Sequence, residues 1–211
     1  MAKRCFDLLV SLIALLILSP IFLFFGFIIK LESKGPVFYR GLRVGRYGKT
    51  FRIFKFRSMV SDAETKGAAS TYANDMRITK VGKLIRAFKI DELSQIINVF
   101  LGDMSFVGPR PEVKKFVDMY TEEEKIILTV RPGITDWSSI KFHNEPEIIA
   151  ASGIADADEA YAKLIRPEKL RLQMKYVRKR TFWIDLMIIF ATIVTLISTR
   201  LGGKPVGLPA E

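Results

Sequence analysis

The dominant pattern in the chain is an apolar run from Leu8 to Ile29 that contains no charged residue. As a helix rising ~1.5 Å per residue, a run of this length spans roughly 33 Å, enough to cross the hydrocarbon core of a bilayer. A cleaved signal peptide fits poorly. The run is too long, and Phe22, Phe24, Phe25 and Phe27 stand where the small residues of a cleavage site would be. Pro20 lies in the middle of the run and follows Ser19, so a helix there loses one hydrogen bond and bends or breaks. Lys3 and Arg4 precede the run, and Lys30 and Lys34 follow it, so both flanks carry the basic signature of a cytoplasmic side. Two readings stay open on this pattern. One is a single-span anchor with a proline kink; the other is a helix–break–helix hairpin that enters one leaflet and returns.

Beyond residue 35 the periodicities shorten. Residues 36–60 read as short strands with tight turns at Gly41, Gly45 and Gly48. Residues 61–76 read as a polar loop. Val81, Leu84, Ile85 and Phe88 recur at helical spacing and predict a helix over 79–88; Leu93, Ile96, Ile97 and Phe100 predict another over 91–101, stopped by Gly102. Gly108-Pro109-Arg110-Pro111 is a rigid elbow. A helix is expected over 112–128, a turn and short extended piece over 131–135, a weak helical stretch over 145–165, and a basic helix over 168–180. Trp183–Ile197 is apolar but short for a span, which suits a buried or interfacial helix. The last ten residues read as a tail.

Composition and charge narrow the chemistry. The 211 residues are 49% hydrophobic and carry a net charge of +11, with one cysteine and one histidine. A disulfide framework, a cysteine-based zinc site and a histidine-rich metal site are therefore excluded. Cys5 reads as a membrane-facing apolar residue. Between residues 30 and 89 stand 15 basic and 4 acidic residues, so the excess charge lies just after the apolar run. Such a surface attracts anionic headgroups and phosphate-bearing ligands. Nucleic acid is not the expected partner, because there is no zinc-finger spacing, RNP aromatic motif or basic-zipper heptad run.

The chemistry-bearing stretch is Gly82–Gln95, in which Asp91 and Glu92 follow a basic helix. Adjacent residues do not share a helical face, so one carboxylate can serve a substrate and the other a metal. Asp91 at the head of a helix also fits an ordinary N-cap, and Glu92 in a first turn is favoured by the helix dipole. The same place is good for phosphate, however: a helix N-terminus with Arg86 and Lys89 beside it attracts anions and keeps a carboxylate ionised. An ionised aspartate next to a neutralised phosphate is a plausible covalent nucleophile.

The motifs Lys55-Phe56-Arg57-Ser58-Met59, Gly82-Lys83-Leu84-Ile85-Arg86, Asp91-Glu92-Leu93-Ser94-Gln95, Asn98–Ser105, Val107–Pro111 and Arg131–Thr135 occur together, in this order, after an apolar N-terminus with a Ser-Pro pair. In this the chain resembles the bacterial sugar transferases, the monotopic polyprenol-phosphate phosphoglycosyl transferases. The resemblance implies an α+β, predominantly helical fold, membrane-associated, with an N-terminal re-entrant hairpin, a small β element and amphipathic interfacial helices. It divides the chain into a re-entrant helix at 1–30 broken at Ser19-Pro20, a catalytic domain at 31–200 on the cytoplasmic face of the bacterial inner membrane, and a tail at 201–211. It implies transfer of a phosphosugar from a UDP-sugar to undecaprenyl phosphate with release of UMP, the first membrane step of glycoconjugate assembly. Asp91 would be the nucleophile that forms a phosphosugar-aspartyl intermediate. Glu92 would be the second catalytic carboxylate and would hold Mg²⁺. Arg86 would bind phosphate, with Lys55 and Arg57 as further candidates, and Pro109, Arg110 and Pro111 would form the nucleotide elbow.

The stretch Pro132–Asn144 departs from the family pattern, with Asp136 in place of a glycine and His143 where an arginine would align. His143 is thus a substrate-binding candidate whose contact with phosphate would be weaker. Residues 145–165 look like an insertion, either a lid or wall for the substrate or a plain surface excursion. Two competing functions have other chemistry. A membrane-anchored module that binds lipid or polyanion without catalysis gains nothing from an acidic pair in a basic cleft. A diphosphosugar hydrolase has no need of a membrane hairpin.

Overall fold

The computed structural model describes residues 2–61, 63 and 75–207. The apolar run forms α1, Ala2–Glu32, whose helical hydrogen bonding continues through Pro20. Proline lacks the N–H that would reach the Leu16 carbonyl, and the Ser19 hydroxyl donates to that carbonyl at 2.8 Å instead. The Ser-Pro pair thus removes one donor and supplies another. Most of the middle of α1 is exposed, including Leu16, Ile17 and Leu23.

Both ends of α1 dock on the body of the protein. At the start, Lys3 Nζ meets Asp185 at 2.5 Å and the Val107 carbonyl at 2.9 Å. Arg4 donates to the carbonyls of Val99 and Phe100 at 2.6 and 2.9 Å. Asp7, which is buried, accepts from Ser105 Oγ and the Phe106 N–H. At the other end Phe25 and Ile29 pack with Phe56 and Ile85 in one buried cluster. Arg57 closes that end: its guanidinium donates to the carbonyls of Ser33 at 2.7 Å and Lys34 at 2.8 Å, just beyond the last turn of α1, and the Ser61 hydroxyl also reaches the Lys34 carbonyl.

Three two-stranded pairs make up the sheet content of the described residues. β1 (Phe38–Tyr39) and β4 (Lys55–Phe56) are antiparallel, with Phe38 opposite Phe56. β2 (Leu42–Val44) and β3 (Thr50–Arg52) form a hairpin whose turn holds Tyr47 and Gly48 at positive φ. β5 (Ser105–Val107) and β6 (Gly133–Thr135) are parallel. The backbones cross so closely there that a Cβ on Gly133 would stand 2.1 Å from the Gly108 nitrogen, so glycine is required at the crossing.

The helices follow the predicted pattern with local differences. α2 (Lys80–Ala87) is capped by Thr79, which accepts from the Gly82 N–H. The helix expected over 91–101 is split at Ser94 into α3 (Ile90–Leu93) and α4 (Gln95–Leu101). Asp91 is not the cap of α3; Lys89 is, in the left-handed region at φ 54°. The helix expected over 112–128 is reduced to α5 (Lys114–Val117) and a 3₁₀ turn, Glu124–Thr129. The reason is a reciprocal cap between Thr121 and Glu124, at 2.8 and 3.3 Å, which starts a new turn in mid-segment. Then come α6 (Trp137–Lys141), α7 (Glu145–Ala151), α8 (Ala157–Leu164), α9 (Arg166–Lys179) and α10 (Phe182–Arg200). Most of the loop expected over 61–76 lies outside the described residues.

The largest buried cluster joins Val107, Trp137, Ile140, Leu172, Tyr176 and Ile188, so β5, α6, α9 and α10 share one core. A second, around Phe116, Ile149, Tyr161 and Ile165, holds α5, α7 and α8. Each such large side chain contributes ~1.5–3 kcal/mol on burial. α10 buries Ile188, Ala191 and Thr195 and exposes Trp183, Met187, Phe190, Ile193 and Ile197 on its outer face. α1 and α10 are both long and apolar enough to cross a membrane. The mostly helical chain with small sheets agrees with the expected fold class. The described part of the tail folds back on α10, with the Val206 N–H on Thr195 Oγ1 at 3.1 Å.

Replacing Arg57 by alanine leaves the carbonyls at the end of α1 without a charged donor. The expected cost is about 3 kcal/mol of stability, read as a lower unfolding midpoint in detergent. An unchanged midpoint would mean that the clamp carries no net energy.

Candidate active site

The site is assembled from three pieces of chain that are distant in sequence. α3 carries Asp91 and Glu92 on one short turn. β4 carries Lys55, whose Nζ lies 2.9 Å from Glu92 Oε1. The elbow after β5 carries Arg110, whose guanidinium pairs with the same Glu92 oxygen. The elbow is pinned by backbone bonds on both sides: the Gly108 N–H to the Thr135 carbonyl and the Gly133 N–H to the Pro109 carbonyl, both at 3.0 Å. The Arg110 N–H also reaches Asp136 Oδ2 at 3.3 Å, and its side chain reaches the Ile134 carbonyl at 3.4 Å.

The two carboxylates sit in opposite electrostatic situations. Burial pushes the Asp91 carboxyl above the usual aspartate value, against the pull of Lys55 and Arg86. Burial also opposes the charge on Glu92, but Arg110 and Lys55 outweigh it and hold that carboxyl well below the usual range. Glu92 is thus firmly ionised, and Asp91 is a buried, less solvated carboxylate beside it.

Arg86 belongs to the same cluster. Its Nε donates to Ser58 Oγ at 2.8 Å, and its charge acts on Asp91. Lys89 directs its ammonium to the His143 carbonyl at 3.1 Å, which ties the loop before α7 to the residue that caps α3. The His143 ring has a buried Nδ1 without a protein partner. Arg57 is not brought to this cluster; it is spent on α1, as described above. Pro109 and Pro111 flank Arg110 and act through the shape of the elbow. Asp136, noted in the sequence only as a replacement for glycine, is fully buried and caps α6 through the Ser139 N–H at 2.6 Å while also holding Arg110. Asn98 is a further organiser: its amide bonds the Phe54 N–H at 2.8 Å and the Arg52 carbonyl at 3.0 Å, so α4 sets the position of the strand that carries Lys55.

A family description, bacterial sugar transferase, matches residues 1–199. The chain belongs to the bacterial sugar transferase family. It is 40% identical over 93% of its length to the UDP-N-acetylgalactosamine-undecaprenyl-phosphate N-acetylgalactosaminephosphotransferase of Aeromonas hydrophila, of which it covers 44%. It is 34% identical over 90% of its length to the UDP-glucose:undecaprenyl-phosphate glucose-1-phosphate transferase of Escherichia coli (strain K12), of which it covers 39%. It is 35% identical over 90% of its length to the uncharacterized sugar transferase EpsL of Bacillus subtilis (strain 168), of which it covers 85%. The chain therefore spans less than half of two of these relatives and most of the third.

For this bacterial sugar transferase the donor set can be compared with what Mg²⁺ requires. Among the described residues no group of three or more acidic, histidine or cysteine side chains converges. Mg²⁺ characteristically takes one or two carboxylates and completes its shell with water and substrate phosphate oxygens. Asp91 and Glu92 fit that demand in kind, and one oxygen of Glu92 is already paired with Lys55 and Arg110.

Lys55→Met removes the cation that most opposes the burial of Asp91. The carboxyl pKa of Asp91 should move further up, because the ionised form loses its main support. Isotope-edited infrared titration of the aspartate carboxyls reads this directly; an unmoved Asp91 would show that Lys55 acts on Glu92 alone.

Proposed function

We propose that this chain transfers a phosphosugar from a UDP-sugar to undecaprenyl phosphate and releases UMP. The observation that carries the reading is the Asp91–Glu92 pair, the first buried and the second half-buried, set among Lys55, Arg86, Lys89 and Arg110. A surface that only bound anions would be weakened by two carboxylates at its centre. A phosphoryl-transfer site needs both signs, cations for the diphosphate and a carboxylate for the attack. The names of the relatives support the substrate classes, since two of them specify a UDP-sugar and undecaprenyl phosphate.

In the first step a carboxylate oxygen of Asp91 attacks the sugar-side phosphorus. The bond from that phosphorus to the bridging oxygen breaks, and UMP leaves with the electron pair. Arg110, Lys55 and Arg86 offset the charge that gathers on the diphosphate oxygens. In the second step a phosphate oxygen of the polyprenol attacks the phosphosugar-aspartyl intermediate and frees Asp91. Mg²⁺ bound at Glu92 together with the diphosphate would supply further charge neutralisation. The burial of Asp91 disfavours its hydration and so favours attack on a bound phosphorus.

The membrane arrangement belongs to the same reading. Both ends of α1 dock on the body that carries Asp91, and its middle exposes leucine, isoleucine and phenylalanine. This supports a re-entrant α1 with both ends and the catalytic domain on the cytoplasmic face of the inner membrane, although the break expected at Ser19-Pro20 is absent and the helix runs on through it. The exposed stripe of α10 supports a helix lying in the interface. Such seating would present the phosphate of a membrane-embedded acceptor to the site at headgroup depth.

Asp91→Asn should reduce UMP release, measured over a panel of UDP-sugars with undecaprenyl phosphate and Mg²⁺, by about a thousandfold or more. Turnover near that of the unaltered protein would remove Asp91 from the nucleophile role. Single cysteines at Ala2 and Lys34, in a Cys5→Ser background, should both react with an impermeant thiol reagent only in inverted vesicles. Labelling of either position from the periplasmic side would overturn the re-entrant arrangement.

A further inference from the structure

Two residues after Arg110 the chain carries a buried carboxylate that has no part in the reaction just described. Glu112 is 5% exposed, and the side chains that bond its carboxylate all lie outside the Asp91 cluster. Its Oε1 lies 3.1 Å from Lys169 Nζ and accepts from the Tyr161 hydroxyl; its Oε2 accepts from the Tyr120 hydroxyl at 3.2 Å. Lys169 Nζ in turn donates to the Tyr161 hydroxyl at 2.8 Å. The Glu112 carbonyl accepts from the Val44 N–H at 3.0 Å. Residues from β2, α8, α9 and the segment after α5 thus converge on one position of the elbow. Burial opposes the Glu112 charge, but Lys169 and the two phenols outweigh it and keep the carboxyl below the usual glutamate value.

The span between this anchor and the site is short and stiff. Pro111 has a fixed φ, and Gly108 and Pro109 are locked against β6 by backbone bonds. Arg110 therefore has an anchored residue behind it and Glu92 in front of it. We propose that Glu112, held by Lys169, Tyr161 and Tyr120, is a positioning residue that aims Arg110 at the Glu92 side of the site. The segment 145–165 acquires a role on this reading, since Tyr161 buttresses the nucleotide elbow from behind. The inference rests on the transferase reading for the role of Arg110. Its geometry stands independently of that reading.

A double-mutant cycle tests it. Glu112→Gln and Tyr161→Phe should each lower UMP release by about ten- to a hundredfold, the range expected when a group that meets the substrate is displaced by an ångström. Combined with Arg110→Ala, neither should cause a further loss of more than about twofold, because the residue they aim is gone. A Glu112 that served folding alone would multiply its loss with that of Arg110→Ala, and this result would overturn the proposal. Tyr161→Phe and Tyr120→Phe keep the cycle usable if Glu112→Gln fails to fold, since each removes only one hydroxyl. The same cycle read by calorimetric binding of UDP to the detergent-solubilised full chain needs no turnover. If no UDP-sugar supports transfer, the reaction reading fails, while non-additive UDP affinities still support the positioning role and additive ones overturn it.

Discussion

One carboxylate oxygen holds the site together. Glu92 Oε1 receives both Lys55 from β4 and Arg110 from the elbow, so three pieces of chain that share no secondary structure meet at a single atom. The three side chains are each about one-quarter exposed, which keeps the charges close enough to bind strongly and open enough to exchange partners. Asp91, one residue earlier on the same turn, gains none of these bonds. The division explains how adjacent acids acquire opposite properties: Glu92 is neutralised by direct pairing, while Asp91 feels the cations only through space and is penalised by burial. On the proposed transfer, two cations meeting at one carboxylate would also suit a diphosphate, whose oxygens are of the same kind as those of Glu92.

The strand that delivers Lys55 also binds α1. Within three residues, Lys55 meets Glu92, Phe56 packs under Phe25 and Ile29, and Arg57 closes the end of α1. Lys55 and Arg57 are equivalent by charge and by strand alternation, so the sequence offers no reason to separate them. The separation comes from the strand's length: β4 ends at Phe56, and Arg57 has turned away toward the carbonyls just after α1. One two-residue strand therefore couples the seating of α1 to the position of a cation in the site.

The parts of this molecule that were legible in the sequence are those set by local rules. The apolar run, the helix around Val81, Leu84 and Ile85 and the basic helix of α9 follow from periodicity, and the grouping of Asp91, Glu92, Lys55, Arg86 and Arg110 follows from the family motifs. Long-range satisfaction of buried charge was not legible. Glu112 follows Pro111 like any surface acid, and its value depends on Lys169 and two tyrosines that reach it from other elements. Asp136 likewise reads as a departure from glycine until Ser139, Gln173 and Arg110 are seen to bond it. The missed break between Val117 and Glu124 is different. The Thr121–Glu124 box is a local signal, and the apolar spacing over 112–128 masked it.

The helices that expose apolar faces, α1, α2 and α10, close into a circuit that carries the site at its edge. The start of α1 meets the start of α10, where Phe6 and Phe182 stack edge to face at 5.5 Å. The end of α10 meets the end of α2, where the Arg200 guanidinium lies 4.5 Å from the centre of the Phe88 ring. The start of α2 meets the end of α1 through the Val81 N–H and Glu32 at 3.0 Å. Leu84 and Phe88 of α2 are about half exposed and stand only seven and three residues before Asp91. Any apolar surface that receives Leu84, Phe88 and the outer face of α10 must therefore hold the carboxylate pair within a turn or two of its boundary. Lys89 makes the transition between the two regimes. Its left-handed backbone ends α2 and begins α3, and so turns the chain from the exposed apolar face into the buried site. A helix running straight on from Phe88 would have carried Asp91 along the α2 axis and away from Lys55 and Arg110.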